Sequence, residues 1–466
     1  MAEVSARKRI WGWMMFDWAS QPYNTLLLTF IFGPFFAEIV IHRLTAGGMA
    51  QEAARAEAQA YWGYGLTTAG ILIAVLAPIL GAIADSTGRR MPWIWFFSVL
   101  YVVGSACLWL ADPDTFSIVL LLFFFGVGLI GMEFATIFTN ALLPSLGEYS
   151  KLGAISGSGW AWGYVGGVIA LAVMLLFLAE NGSGVTFIGI EPILGLDPAA
   201  GEGTRSVGPF TALWYAVFMI PFFLWVREPR HEVVRGAPIR DCLGDLVRTI
   251  KGLPNHVSLT AYLGSSMFYR DALNGMYTFG GIYALGVLGW TVVDIGVFGI
   301  VAAIFGALFA WVGGQADKAF GPKPVIVTCI VTLLIVGVMI VGVSRTSVLG
   351  LAVPAESALP DIAFYVCGAV IGAAGGALQS ASRTMMVRQA NAERMTEAFG
   401  LYALAGKATT FLAPAAIAVA TDLTGNQRLG ITPLIGLFFV GLILLIWVKP
   451  DGERDVPWSA SSQPLA

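Results

Sequence analysis

Charge is what this sequence has least of. Only 12% of its 466 residues are Asp, Glu, Lys or Arg, about half the share carried by a soluble domain. A fold of this size with so few charges cannot face water on every side. That argues against a soluble globular enzyme, a disordered chain and a nucleic-acid-binding protein. Cysteine is scarce as well. Cys107, Cys242, Cys329 and Cys367 stand far apart with no Cys-x-x-Cys pair, so neither a disulfide framework nor a redox couple is expected. Three scattered histidines supply no zinc-ligand spacing. No Ser/His/Asp or Cys/His constellation stands out, so the reading is of a protein that is not an enzyme, with no catalytic residue, metal or cofactor. The basic start, Met1 to Arg9, is followed by no small-residue cleavage site. The apolar run after it is long and carries Asp17, which reads as a first membrane helix rather than a signal peptide.

What the chain has in plenty is apolar length. Apolar residues make up 57% of it. Runs lie near 10–41, 58–82, 92–111, 116–143, 152–178 and 210–226. They resume near 256–286, 290–314, 324–343, 361–388, 397–421 and 431–449. A helix needs about 20 residues to cross a hydrocarbon core, and in lipid each backbone polar group must be paired within its own segment. The expected fold is therefore an all-α membrane protein of twelve transmembrane helices. Even crossings put both termini on one side. The face they share carries most of the Lys and Arg, including Lys8, Arg89, Arg230, Arg235, Arg240 and Arg454, so both termini are expected to be cytoplasmic. The division expected is a six-helix bundle over 1–226, a cytoplasmic linker over 227–255, a second six-helix bundle over 256–449 and a cytoplasmic tail over 450–466.

The two halves repeat a pattern. GAIADSTGRR (Gly81–Arg90) follows the second helix and GGQADKAFGPK (Gly313–Lys323) follows the eighth. Both read Gly-x-x-x-Asp, then a glycine, then a basic residue. One copy is an ordinary polar turn, in which Gly88 permits a positive φ. Two copies at equivalent places mark a gate built from Gly81, Asp85, Gly88, Arg89 and Arg90 and from Asp317, Gly321 and Lys323, with Asp85 facing Arg89 and Arg90. Such charge pairs form in one state and break in another. A repeated bundle with a site near the repeat interface is the mark of a secondary transporter.

Ionisable side chains at membrane depth are expensive and point to a purpose. The first helix has Asp17, Gln21 and Asn24 at i, i+4 and i+7, and the fourth has Glu133, Thr136 and Asn140. The seventh carries Ser266, Arg270, Asn274 and Tyr277 on one stripe, with Asp271 beside it. The tenth adds Gln379 and Arg383, and the eleventh Lys407 with Thr410. At 1.5 Å per residue, Arg270 lies roughly 20 Å and Lys407 roughly 16 Å from the cytoplasmic helix ends. These groups either neutralise one another in a structural network or line a polar cavity for a small charged or zwitterionic solute. In a cavity, Arg270 and Lys407 would take an anionic group, while Asp17, Glu133 or Asp271 would hold an amine or carry a proton. Snorkelling suits Asp17 and Arg383. Other matches carry little. Gly126-x-Gly128-x-x-Gly131 has the letters of a dinucleotide loop but sits inside a membrane helix. Trp11, Trp13, Trp18, Trp160 and Trp162 read as interface anchors and packing residues.

At this point the chain resembles the major facilitator superfamily, through the paired turns, and within it the vacuole-effluxer-like family related to a fungal autophagy-associated exporter. The family-like stretches are Trp11–Phe36, Ile155–Gly167, Met267–Ala284 and the segments of Gly375–Ile431. The resemblance implies a pseudo-symmetric six-plus-six bundle, alternating access and export of neutral amino acids from a storage compartment. It places Asp17, Arg270, Asp271, Gln379, Arg383 and Lys407 within recurrent polar motifs. Ala272 and Tyr164 depart from the related pattern. The reading of the whole is a secondary active transporter of a small polar or zwitterionic solute, an amino acid by preference and by efflux. Its partners are that solute, protons and the lipid bilayer, with no nucleic acid, and it acts as a monomer in a bacterial inner membrane. The rivals are a drug or lipid transporter of the same fold and a transport-dead receptor or scaffold.

Overall fold

The structure is a computed structural model that describes residues 4–228, 239–354 and 356–453. Residues 229–238 of the expected linker, with Arg230 and Arg235, and 454–466 of the expected tail, with Arg454, lie outside the described residues. The helices are α1 (Ala6–Pro22), α2 (Phe32–Ala46), α3 (Gln51–Thr87), α4 (Met91–Ala106), α5 (Ile118–Asn140), α6 (Leu152–Val173), α7 (Glu202–Arg205), α8 (Val207–Phe218) and α9 (Ile220–Trp225). They continue with α10 (Ile239–Gly252), α11 (Val257–Tyr283), α12 (Val292–Phe320), α13 (Pro322–Val341), α14 (Leu359–Gln389), α15 (Met395–Ala408), α16 (Leu412–Thr424), α17 (Gln427–Gly430) and α18 (Thr432–Leu444). The described strands are β1 (Val343–Ser344), β2 (Ser347–Val348) and β3 (Leu351–Ala352), a small antiparallel meander between α13 and α14.

The all-helical membrane architecture agrees with the composition. Eleven described segments are long and apolar enough to cross a bilayer. The expected seventh crossing, α11, is not among them. Its 27 residues would extend about 40 Å, but Ser265, Ser266, Arg270, Asp271 and Asn274 lower its hydropathy. The polar cargo that singles α11 out thus also hides it from a hydropathy count.

The chain packs as two compact units. The first holds residues 1–75, 89–139 and 162–229, and the second 76–88, 140–161 and 230–466. In the first unit, Pro22 has no N–H to donate to the carbonyl of Trp18, which breaks the α-helical ladder. The Trp214 indole N–H donates to that carbonyl instead, at 3.2 Å. The backbone then runs as a π-helical stretch over Tyr23–Phe30 before α2 begins. Tyr23 is fully buried and its hydroxyl donates to the carbonyl of Phe125 at 2.5 Å. The glycines of Gly126-x-Gly128-x-x-Gly131 serve packing. A Cβ on Gly131 would sit 2.7 Å from the carbonyl oxygen of Phe97, and one on Gly128 would sit 2.8 Å from the Tyr23 hydroxyl. Small residues let membrane helices approach this closely. The tryptophans behave as packing residues too: Trp13 is buried and donates to the carbonyl of Thr139 at 2.8 Å.

The second unit is built around α14, which is buried along most of its length from Cys367 to Gln389. Its glycines at four-residue spacing, Gly368, Gly372 and Gly376, lie against Phe298, Ala302 and Gly306 of α12. The last part of α3 and the turn between α5 and α6 pack in this unit as well.

Candidate functional site

The second unit contains a broken helix. Between α15 and α16 the chain turns over Thr409–Phe411, and the sequence supplies the reason. Pro414 has no N–H, and its ring clashes with the carbonyl four residues back, at Thr410. The first N–H groups of α16 therefore need partners from outside. Asp271 provides one: its carboxylate accepts from the backbone N–H of Ala413 at 2.8 Å. Asp271 is 3% exposed, pressed into the packing between helices.

Its neighbour Arg270 faces the other way. Arg270 is half-buried, while Asn274 and Tyr277, at i+4 and i+7, are exposed. The Arg270 guanidinium lies over the Tyr402 ring, 4.1 Å from its centroid, and donates to the carbonyl of Tyr402 at 3.0 Å. A Cβ on Gly406 would lie 2.6–2.7 Å from the guanidinium atoms, so a larger residue there would push the Arg270 guanidinium from this position against α15. Lys407 is the next residue, in the last turn of α15, where a cation meets the negative end of the helix dipole. Ser266, expected on the same stripe as Arg270, is fully buried and donates to the carbonyl of Leu263 at 2.8 Å. The arrangement gathers Arg270, Asp271, Lys407 and Tyr402 about one interrupted helix. Opened backbone of this kind at membrane depth is tolerated where it lines a cavity or is buried in protein.

Arg383 has a different place. It is 4% exposed, and its guanidinium donates to the hydroxyl of Ser156 at 2.9 Å, to its carbonyl at 2.8 Å and to the side-chain oxygen of Asn140 at 3.2 Å. The Trp160 ring lies 5.7 Å away. These contacts tie α14 to the α5–α6 turn. Gln379, one turn before it, is the half-buried position in a stretch of α14 that is otherwise buried.

In the first unit, Asp17 and Gln21 sit where α1 meets α6. Gly163 and Gly167 admit this approach: a Cβ on Gly163 would sit 3.3 Å from the Cβ of Asp17, and one on Gly167 would sit 2.9 Å from Cγ of Gln21. Asn24 belongs to the π-helical stretch, and its carbonyl accepts from the hydroxyl of Thr29 at 2.8 Å. On α5, Glu133, Thr136 and Asn140 are the half-buried positions of a run from Gly131 to Asn140 that is otherwise buried, so these three polar side chains do share one face. An open groove of about 700 Å³ between α2 and α3, lined by Glu38, His42, Gln51 and Arg55 among others, was not visible in the sequence pattern.

The two repeated turns both lie in the second unit up to Gly88, and both meet the start of another helix. Asp85 accepts from the Thr396 hydroxyl at 2.6 Å and from the backbone N–H of Glu397 at 2.8 Å. It thus caps the first turn of α15, where a carboxylate also complements the helix dipole. These contacts across the turn were not part of the sequence expectation. Asp317 is fully buried, and a Cβ on Gly153, in the first turn of α6, would lie 2.5 Å from its Cγ. Close helix crossings accompany both. A Cβ on Gly81 would meet the carbonyl oxygen of Thr396 at 2.6 Å, and one on Gly400 would meet that of Ala77 at 2.5 Å. On Gly157 it would meet the carbonyl of Ala310 at 2.5 Å. Gly88 and Gly321 have φ of 61° and 84°, the left-handed region that favours glycine. Arg89 is exposed, and the backbone N–H of Arg90 donates to the carboxylate of Glu228 at 2.8 and 2.9 Å, within the first unit. Lys323 is held away from its turn, donating to the carbonyl of Val448 at 2.6 Å. Thr396, Ser156, Tyr402 and Pro414 escaped the sequence reading. Of these only Pro414 left a legible signal, a proline inside an apolar helix run. Among the described residues no group of three or more His, Cys, Asp or Glu side chains is placed to hold a metal.

Comparison with known proteins follows the same direction. The chain is 25% identical over 459 residues to the uncharacterized MFS-type transporter YxiO of Bacillus subtilis, covering 97% of this chain and 98% of the relative. It is 25% identical over 320 residues to autophagy-related protein 22-1 of Neosartorya fischeri. There the match covers 65% of this chain and spans about half the length of the fungal protein. In fold it is similar to the proton:xylose symporter XylE (TM-score 0.70, 11% identity, 95% of this chain and 94% of that one). It is also similar to FucP in its outward conformation (TM-score 0.68, 14% identity, 95% and 98%). The family model described as vacuole effluxer Atg22-like matches residues 5–455. The chain therefore belongs to the vacuole effluxer Atg22-like family, a multi-pass membrane transporter of the major facilitator fold rather than an enzyme.

Proposed function

We propose that this transporter moves a small zwitterionic solute, an amino acid by preference, outward by alternating access. The observation that carries the reading is the interrupted helix of α15 and α16 with Arg270, Asp271 and Lys407 about it. Arg270 and Lys407 suit a carboxylate, and Asn274, Tyr277 and Gln379 add polar contacts on the open side. Asp271, bonded to Ala413, holds the break in place. Arg383 acts as a fastener on Ser156 and Asn140 rather than as a ligand to the solute. Asp17, Gln21, Asn24 and Glu133 are the groups of the first unit proposed to hold an amine or a coupling proton. The preference for efflux follows the family description. Proton coupling is proposed by likeness to XylE, a proton:xylose symporter.

In this reading twelve crossings place both termini in the cytoplasm, α11 being the seventh, and residues 1–226 rock against 256–449. The protein works as a monomer in a bacterial inner membrane. The junctions at Asp85 and Asp317 close the cytoplasmic side, and a bound solute shifts the equilibrium by its difference in affinity for the two states.

The test is counterflow of labelled neutral amino acids in proteoliposomes. Wild-type protein should exchange them, and Arg270→Ala should lower exchange at least about tenfold, the loss expected when one charge-assisted hydrogen bond of about 1.5–3 kcal/mol is removed. Unchanged exchange by Arg270→Ala would take Arg270 out of the site. Exchange of lipid or drug-like molecules but not amino acids would replace the substrate class, and no exchange of any solute would favour the scaffold.

A further inference from the structure

The segment α10 leads from the undescribed part of the linker into α11 and takes no part in the candidate site. It rests on the molecule through one side. Leu246 is buried, and the hydroxyl of Thr249 accepts from Arg394 at 3.4 Å. Arg394 also pairs with the Glu397 carboxylate at 3.3 Å. Glu397 is the residue whose backbone N–H reaches Asp85. A short chain of polar contacts therefore joins α10 to the Asp85 junction.

The other side of α10 is apolar and open. Val247 is 49% exposed and Ile250 43%, and the exposed strip runs on through Pro254 to Val257, the first residue of α11. Arg248 and Lys251 are exposed beside it. With Arg240 they outnumber Asp241 and Asp245, so the helix as a whole is net basic and its last two turns carry only basic charge. Aliphatic and basic residues side by side on a helix are the pattern that settles into a headgroup layer. The strip is continuous with the start of a helix that enters the bilayer, which sets its level. Its charge is complementary to anionic lipid, and each basic residue near such a surface favours the bound state by about fivefold.

We propose that α10 lies on an anionic phospholipid surface, with Val247 and Ile250 inserted and Arg248 and Lys251 among the headgroups, and that this contact holds the Asp85 junction closed through Thr249 and Arg394. The proposal rests on the functional reading in two respects, the crossing of the bilayer by α11 and the closing role of the Asp85 junction.

The test uses the full chain in vesicles of phosphatidylcholine alone or with about one quarter phosphatidylglycerol, read by amide hydrogen exchange. In wild type, exchange over 239–252 should be at least about fivefold slower with the anionic lipid, and the first turn of α15 should slow with it. The lipid difference should vanish in R248Q/K251Q and shrink at high salt, where screening shortens the reach of charge to about 3 Å at 1 M. Equal exchange of wild-type α10 in the two vesicles would overturn the proposal, and would also be the result if a protein partner covered the strip. A lipid response in α10 without one in α15 would overturn the link to the junction. The readout requires no transport, so its failure and that of counterflow are separable.

Discussion

The two Gly-x-x-x-Asp turns are copies in sequence and unequal in structure. Asp85 is half-exposed and accepts two short hydrogen bonds from the start of α15. Asp317 is fully buried against Gly153 at the start of α6, with the Thr384 hydroxyl and the Arg388 charge as its polar surroundings and, among the described residues, no backbone N–H donor at the start of a helix. A carboxylate that caps a helix stabilises the contact it makes. A fully buried carboxylate costs more in desolvation than a half-exposed one. The junction at Asp317 therefore depends mainly on packing, Gly157 against Ala310 and Gly314, whereas the junction at Asp85 has both packing and a cap. On the proposed gating reading, the junction at Asp317 is the weaker of the two.

This asymmetry can be broken at several points. The largest effect should come from filling the crossings: Gly400→Val and Gly314→Val each force a side chain where a Cβ already meets backbone at 2.5–2.7 Å. Overpacking costs about 1–3 kcal/mol, so both variants should melt several degrees lower and shift toward the cytoplasmically open state, read by labelling of introduced cysteines. Unchanged melting would mean that the crossings are looser than described. Next comes a difference of sign. Asp85→Ala removes a cap and should lower stability by about 1 kcal/mol. Asp317→Asn removes a buried charge and should leave melting unchanged or raise it. Equal losses in both would erase the contrast between the turns. The smallest effect on the junctions themselves is expected at Lys323, which donates to the carbonyl of Val448. Lys323→Ala should cost a stability comparable to that of Asp85→Ala, about 1 kcal/mol, but leave the labelling pattern of both junctions as in wild type. A change in that pattern would restore Lys323 to the gate.

The crossings were legible because apolar length and helix geometry leave one solution in lipid. The limits found by reading runs fall close to many of the observed helices; the first two differ, reaching Ala46 and beginning at Gln51. So does the run 290–314, where α12 continues to Phe320, and the run 397–421, which is broken between α15 and α16. The candidate site was legible only in outline. Arg270 and Asp271 are adjacent in the chain, and the reading grouped them by depth. They diverge because successive residues point about 100° apart on a helix, one onto Tyr402 and the other into the packing beside α16. Arg383 looked like its neighbour Gln379 and is instead fastened to Ser156 and Asn140, residues more than 220 positions away. The contacts of Asp85 with the start of α15 were not legible, because that segment lies over 300 residues distant and local sequence carries no trace of it.

Apolar runs, the bias of Lys and Arg, and a motif written twice were enough to specify a repeated helical membrane protein with charges at depth. Each of these acts within a few turns of its own segment. Which of those charges cap helices, which are locked and which stay half-buried or exposed was decided by the meeting of distant segments. The energy of a buried charge depends on the donors that surround it, and for Asp271, Asp317 and Arg383 those surroundings come from other helices.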